Sequence, residues 1–302
     1  MSATVPMDAS RPLTATALRA LKRSGRPIVM VTAYDTPSAR LADEAGVDAI
    51  LVGDSLGMTV LGFDSTLPVT LDDMVRHTAA VTRGTKHALV VADMPFLTFQ
   101  VNSEEAIRNA GRLVAEGGAA AVKLEGGASI APTLRRIVES GIPVMGHVGL
   151  TPQSVHALGG YKVQAKESAA ALRLIEDCRE LQDAGAFAVV LECIPAELAA
   201  LVSSELDVPT IGIGAGSGCD GQVQVFHDLL GLGGDFTPRH AKRYAEIGAA
   251  IREAIEAYAD EVRSGAFPTD AQSTRMDSQA YEEVAQLRVR GLRAVGGGER
   301  RP

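Results

Sequence analysis

The sequence contains no tryptophan, its Phe and Tyr together make up only 4% of the residues, and it has three cysteines in 302 residues. So few aromatics argue against a surface built around sticky aromatic anchors. Cys178, Cys193 and Cys219 are an odd number without metal-ligand spacing, which argues against a disulfide framework and against a zinc site. Nowhere does an apolar run reach the roughly 18 residues that span a bilayer. The N-terminus, Met1 to Thr14, mixes Asp8 and Arg11 with prolines where a signal peptide would need an apolar core. A cytoplasmic protein with no membrane partner is expected. Basic charge is also in deficit: 29 Lys and Arg against 37 Asp and Glu leave a formal net charge of -8, a field that repels nucleic acid.

What is present is a repeated unit. Glu44-Ala45-Gly46 precedes AILVGD, Glu116-Gly117-Gly118 precedes AVKLEG, Glu139-Ser140-Gly141 precedes PVMGHVG, and Asp183-Ala184-Gly185 precedes AVVLEC. Each reads as a helix closed by glycine and followed by a short buried strand. IVMVTA from Ile28, ALVVADMP from Ala88, PTIGIG from Pro209 and QVQVF from Gln222 bring the candidate strands to eight. Their continuous apolar character suits parallel strands covered by helices. Helix starts support the alternation: Thr70-Leu71-Asp72-Asp73 resembles a capping box, Ser103-Glu104-Glu105 reads as an N-cap with an acidic first turn, and Pro195 stands where a first helical residue belongs. The fold expected is α/β, a (β/α)8 TIM barrel, with an open doubly wound sheet as the competitor.

Polar residues at the carboxyl ends of the strands favour the barrel. Asp54, Asp93, Lys123 with Glu125, His147 and Glu192 all fall there, and a barrel's C-terminal face is where such groups meet. A period of two places Lys123 and Glu125 inward, Val122 and Leu124 outward, Glu192 in line with Val190, and Asp54 in line with Val52. The barrel with an N-terminal helix is expected over 1–269, including a long helix from after Pro238 to Val262 ended by Gly265 and Pro268. The polar, Arg-rich residues 270–302, closing in GGGERRP, form either a peripheral helix or a disordered tail.

Two carboxylates buried at strand ends need a partner. For Asp54 and Asp93 a structural salt bridge or a helix N-cap would serve, but their neighbours favour a hard cation such as Mg²⁺ with positions left open for substrate oxygens. Glu192 in VVLECIP suits a general base, against the alternative of a glutamate turned to water. Lys123 either neutralises a substrate carboxylate or forms a Schiff base, and the nearby carboxylate pair favours the metal-chelating route. His147 either hydrogen-bonds a bound oxo acid or is a satisfied structural histidine. A nucleophilic role for Cys193 has no supporting His or Asn nearby in sequence. GSGCDG formally matches GxGxxG, but a strand follows it where a dinucleotide site needs a helix. Its glycines are expected to make a tight crossover at the barrel mouth, with backbone N–H groups facing an anion.

Seven segments, LVGDSLGMTVLGFDSTLPVT, VADMPF, VKLEGG, GHVGLTPQSV, GGYKVQ, VLECIP and IGIGAG, occur in the order found in the ketopantoate hydroxymethyltransferase family, which the chain resembles from about Ile28 to Pro268. The resemblance implies a barrel of the phosphoenolpyruvate/pyruvate superfamily type. It implies Mg²⁺ on Asp54 and Asp93, with Glu125 as a third metal-site residue, and Glu192 as catalytic base. It further implies oxo-acid binding by Asp54, Ser55, Asp93, Lys123 and His147. The implied substrates are 3-methyl-2-oxobutanoate and 5,10-methylenetetrahydrofolate, and the implied assembly is a homodecamer or another ring. In the implied reaction a metal-stabilised enolate forms when Glu192 removes the C3 proton, then attacks the folate's one-carbon unit. A Mg²⁺-dependent C–C lyase of the same superfamily is the alternative, although no KKCGH-like motif is present. The stretch LGFDSTLPVT is expected to close over the substrate and exclude water.

Overall fold

The computed structural model describes residues 12–233 and 237–296. The N-terminal residues through Arg11 and residues 297–302 of the closing GGGERRP run lie outside them. The chain divides into two compact units, 1–248 and 249–302.

In the first unit eight parallel strands close into a barrel in sequence order: β1 Ile28–Thr32, β2 Ala49–Val52, β3 Leu89–Asp93, β4 Ala121–Glu125, β5 Val144–Gly149, β6 Ala188–Glu192, β7 Thr210–Ile213 and β8 Gly221–Gln224. Side chains of alternating residues build two separate apolar layers. Met30, Leu51, Val91, Met145 and Val190 fill the barrel, whereas Ile50, Val122, Leu124, Val189 and Leu191 pack against the helices outside. At about 25 cal/mol per Å² of apolar surface, these layers supply the main drive to fold. Lys123 and Glu125 are buried and face inward as the period of two requires, opposite Val122 and Leu124. Asp54 breaks that period. Val52 belongs to the outer layer, and β2 stops there, so Asp54 enters the mouth through the turn at Gly53 and not as the next inward residue of a strand.

The helix starts fit with small shifts. Thr70 accepts from the amide of Asp73 and Asp73 reciprocates, a complete capping box. Asn102, not Ser103, caps the next helix, because its side-chain oxygen reaches the amide of Glu105 at 2.8 Å. Pro195 is the cap residue of helix Ala196–Glu205, and its carbonyl accepts the first helical bond from Ala199. The final strand ends at Gln224, and Phe226 already opens the helix Phe226–Leu230.

The glycine-rich run corrects an expectation. β7 connects to β8 without a helix, so residues 214–220 must return from the carboxyl end of β7 to the amino end of β8. Gly216 and Gly218 lie against Ala196 and Ala200, where an added Cβ would stand 2.5 Å and 2.6 Å from their methyl carbons. The glycines serve close packing of the returning chain, and Asp220 finishes at the other end of the barrel, 2.9 Å from Lys22.

The long helix covers Ile247–Ser264. It begins well after Pro238 because the amide of Tyr244 is held by the carbonyl of Leu229, which keeps the preceding stretch out of helical geometry. Gly265, with φ 76°, ends it. The Arg-rich segment is helical over Ser278–Gly296. Among the described residues no helix is long and apolar enough to cross a membrane.

Candidate active site

The strand registers decide which charges meet at the carboxyl end. Asp93 pairs with Lys123 across β3 and β4, and Glu125 pairs with His147 across β4 and β5. Nζ of Lys123 lies 2.9 Å from Oδ1 of Asp93 and 3.1 Å from Nδ1 of His147. The other ring nitrogen of His147 is 3.2 Å from Oε2 of Glu192, and Nδ1 is 3.4 Å from Oε1 of Glu125. Asp54 joins through its backbone amide, which donates to Oδ2 of Asp93 at 3.0 Å. The polar strand ends thus form one connected cluster, buried except for the half-buried Glu192.

Burial shapes the protonation of the cluster. It raises the pKa of both Asp54 and Asp93; for Asp54 the nearby carboxylates of Asp93 and Glu125 push the same way, and for Asp93 Lys123 partly offsets it. Burial also opposes the charge on Lys123, but Asp93, Glu125 and Asp54 outweigh it and hold that pKa above the ordinary lysine value. For Glu125, burial is outweighed by His147, Lys123 and the amide of Gln153, and its pKa falls. Burial and Lys123 disfavour a charge on His147, yet Glu125 and Glu192 outweigh them and push its pKa up to about 9. Two demands conflict at that ring. A hydrogen on Nδ1 would point at the Lys123 ammonium, where a 3.1 Å contact requires a lone pair. When the ring carries a single proton, the 3.1 Å contact to Lys123 keeps Nδ1 as the acceptor and puts that proton on Nε2, facing Glu192.

The donors suit a divalent cation. Asp54, Asp93, Glu125 and Glu192 set four carboxyl groups against the single ammonium of Lys123, and all their free donor atoms are hard oxygens. Oδ1 of Asp93 is buried without an aligned hydrogen bond, although Lys123 is close, and Oδ1 of Asp54 has no partner among the described residues. Both oxygens of Glu125 are engaged, one near His147 and one by the amide of Gln153. Among the described residues no three His, Cys, Asp or Glu side chains converge closely enough to hold a metal by themselves. Asp54 and Asp93 therefore make a two-carboxylate set that leaves room for other oxygens.

The backbone aims Glu192. Immediately after it, Cys193 adopts φ 47°, a left-handed conformation uncommon for a residue with a Cβ. Its amide donates to Ile213 and its carbonyl accepts from Gln164, which holds the turn on both sides. Sγ of Cys193 lies 3.7 Å from Nδ1 of His240, a neighbour the sequence did not reveal, but burial and Glu192 push the thiol up to about 11. It stays protonated and gains no nucleophilic character.

Two residues absent from the sequence-based reading belong to the site. Tyr34 is buried and its hydroxyl lies 2.9 Å from Oγ of Ser55, while Thr32 donates to it from β1. Burial raises the Tyr34 pKa, so the phenol stays protonated, and either hydroxyl of the Tyr34–Ser55 pair can donate to the other. Gln153, in the turn after β5, touches both Asp54 and Glu125. Only the clustering of Gln153 within GHVGLTPQSV hinted at it.

A closed parallel barrel with a buried acid–base cluster at its carboxyl end defines a (β/α)8-barrel enzyme. Among solved structures, phosphonopyruvate hydrolase in complex with oxalate and Mg²⁺ superposes with a TM-score of 0.58 at 16% identity, covering 93% of this chain and 98% of that one. A 2,3-dimethylmalate lyase, a member of the PEP mutase/isocitrate lyase superfamily, gives 0.55 at 20% identity over 95% and 96%. These likenesses concern the fold. The family model described as ketopantoate hydroxymethyltransferase matches residues 12–270. A curated relative from Gluconacetobacter diazotrophicus, a 3-methyl-2-oxobutanoate hydroxymethyltransferase, is 62% identical over 259 residues, 86% of this chain and 93% of its own. The chain belongs to the ketopantoate hydroxymethyltransferase family.

Proposed function

We propose that this chain transfers a hydroxymethyl group from 5,10-methylenetetrahydrofolate to 3-methyl-2-oxobutanoate, forming 2-dehydropantoate, in the cytoplasm and with Mg²⁺. The observation that carries the reading is the arrangement around Lys123: a buried ammonium 2.9 Å from Asp93, with Glu192 reached through the His147 ring at the half-buried rim. An oxo acid needs a cation for its carboxylate, a positive charge near its ketone oxygen and a base beside C3, and the cluster offers each from a different strand.

Asp54 and Asp93 would hold the metal, with Glu125 as the third acid of the site. When bound, Mg²⁺ supplies the positive charge that stabilises oxygen in the enolate-like transition state. Lys123 pairs with the substrate carboxylate, the Ser55 hydroxyl hydrogen-bonds a substrate oxygen, and His147 holds the carbonyl side of the pocket. Glu192 takes the proton from C3. The resulting carbon nucleophile bonds to the methylene carbon delivered by the folate, both C–N bonds of that carbon break to release tetrahydrofolate, and water supplies the hydroxyl oxygen, while one water proton and the proton taken from C3 go to the two folate nitrogens.

The segment 61–70 is anchored by buried Thr66 and Val69 while Leu61 and Phe63 stay partly exposed, which suits a flap closing over the mouth. Limited proteolysis with and without oxo acid tests it, and equal cleavage speaks against closure. In the second unit Ile251, Ile255, Tyr258 and Val262 form an exposed apolar row along one helix, which supports a homo-oligomer of the ring type; sedimentation reads the assembly directly.

The deciding experiment incubates the full chain with both substrates and Mg²⁺, with and without EDTA, and detects product by mass. Metal-dependent 2-dehydropantoate is the expected result. Cleavage of the oxo acid without hydroxymethyl transfer would instead assign a lyase.

A further inference from the structure

The turn that follows β5 reaches several parts of the site. Gly149 has φ 95°, and a Cβ there would stand 2.2 Å from the carbonyl oxygen of Glu192, so only glycine lets this turn pass so close to β6. The next amide, of Leu150, donates to that same carbonyl at 2.8 Å. Three residues on, Gln153 is 5% exposed and engages its backbone amide and both polar atoms of its side chain in hydrogen bonds.

Its backbone amide donates to Oε2 of Glu125 at 3.0 Å. The two hydrogens of its side-chain amide go to Oδ2 of Asp54 and to the carbonyl of Met94, each at 2.9 Å. Its Oε1 accepts from Nε2 of Gln100 at 3.2 Å. The orientation of the amide follows from these partners. Turned over, Oε1 would face two acceptor oxygens and Nε2 would face the Gln100 donor, so the flipped form has no stable partner set.

We propose that Gln153 is the positioning residue of the cation site, tying one oxygen of Asp54 so that the other points at the metal, and fixing Glu125 at a set distance from it. The inference rests on the proposed Mg²⁺ role of Asp54 and Asp93. An amide suits the task because it is a neutral donor. It orients Asp54 without neutralising it, whereas an ammonium at the same place would compete with the cation for the carboxylate charge, as Lys123 does at Asp93. Gln100 in turn locks the amide plane from the loop after β3. One residue thus links the ends of β2, β3 and β4, and the separation of the acids no longer depends on the mobility of any single loop.

The test is calorimetric titration of MgCl₂ into the full-length protein saturated with 3-methyl-2-oxobutanoate, paired with turnover measured against Mg²⁺ concentration. Gln153→Met keeps the volume and removes both side-chain donors. It is expected to bind Mg²⁺ about 10- to 100-fold more weakly, the usual effect of removing a residue that orients a ligand. Turnover of this variant should recover as Mg²⁺ is raised, a rescue that general damage to the fold would not show. Wild-type Mg²⁺ affinity in folded Gln153→Met overturns the proposal. Where Gln153→Met fails to fold by circular dichroism, Gln100→Leu decides: it removes only the lock on the amide and should weaken Mg²⁺ binding to a smaller extent, and unchanged affinity overturns the proposal. A wild-type protein that binds no Mg²⁺ refutes the metal reading itself, and this inference with it.

Discussion

Nε2 of His147 lies 3.2 Å from Oε2 of Glu192, near enough for an ion pair but out of line for a hydrogen bond. The carboxylate is therefore oriented by the ring's charge distribution without being locked to it, and it keeps an oxygen for a substrate proton. His147→Gln retains a neutral donor but loses the ring. Losing the ring that faces the carboxylate should lower kcat about 10-fold, equivalent to about 1.4 kcal/mol. Steady-state kinetics at saturating oxo acid checks this, and a wild-type kcat removes His147 from the proton-transfer path.

Glu192→Gln should lose roughly 10²- to 10⁴-fold in rate while keeping affinity for oxo acid and Mg²⁺. Deuterium exchange at C3 of 3-methyl-2-oxobutanoate, followed by NMR without folate, isolates the proton step. Exchange at the wild-type rate in this variant would place the base elsewhere.

Removing the metal should stop turnover, and Asp54→Asn and Asp93→Asn should each weaken Mg²⁺ binding. The two replacements differ in a second effect. Asp93 also balances Lys123 at 2.9 Å, so its replacement leaves a buried ammonium short of a counter-charge and should lower the melting temperature even without metal. Melting curves with and without Mg²⁺ separate the contributions, and equal melting losses in both variants would contradict this division.

Asp43 gives a pH prediction away from the chemistry. Its carboxylate accepts from the amides of Lys86, His87 and Ala88 at 3.0, 2.9 and 2.8 Å, holding the segment that leads into β3. Burial works against the charge, but the three amides outweigh it and bring the pKa below the ordinary carboxylate value. A depressed folded-state pKa means that the stabilisation is complete above the unfolded value near 4 and is lost as pH falls through the folded one. Asp43→Ala should cost about 1–3 kcal/mol at pH 7, chiefly from the buried amide of Ala88 left without an acceptor. The melting difference from wild type should shrink at pH 3; a constant difference across that range would mean that the charge contributes nothing.

The barrel and most of the polar cluster at its mouth were legible along the chain, for a physical reason. Apolar strands with one polar end have few other uses, and a parallel barrel gathers those ends on one face whatever the loops do, so Asp93, Lys123, Glu125, His147 and Glu192 could be named from position alone. The inward direction of Lys123 and Glu125 followed from the two-residue period inside one strand. Beyond a strand's end that period has no force, which is why Asp54 enters through a turn while Val52 faces the helices. The same limit hid the descent of Gly214 to Asp220 along the outside of the barrel, since small residues at a mouth and small residues under a helix look alike in sequence. Tyr34 and Gln153 mark the remaining boundary. A tyrosine after one strand and a glutamine in a turn carry no local signal of what they touch. Their partners, Ser55 from another strand's loop and Asp54 and Glu125 from two others, were decided only when closure of the barrel brought distant segments within hydrogen-bonding reach.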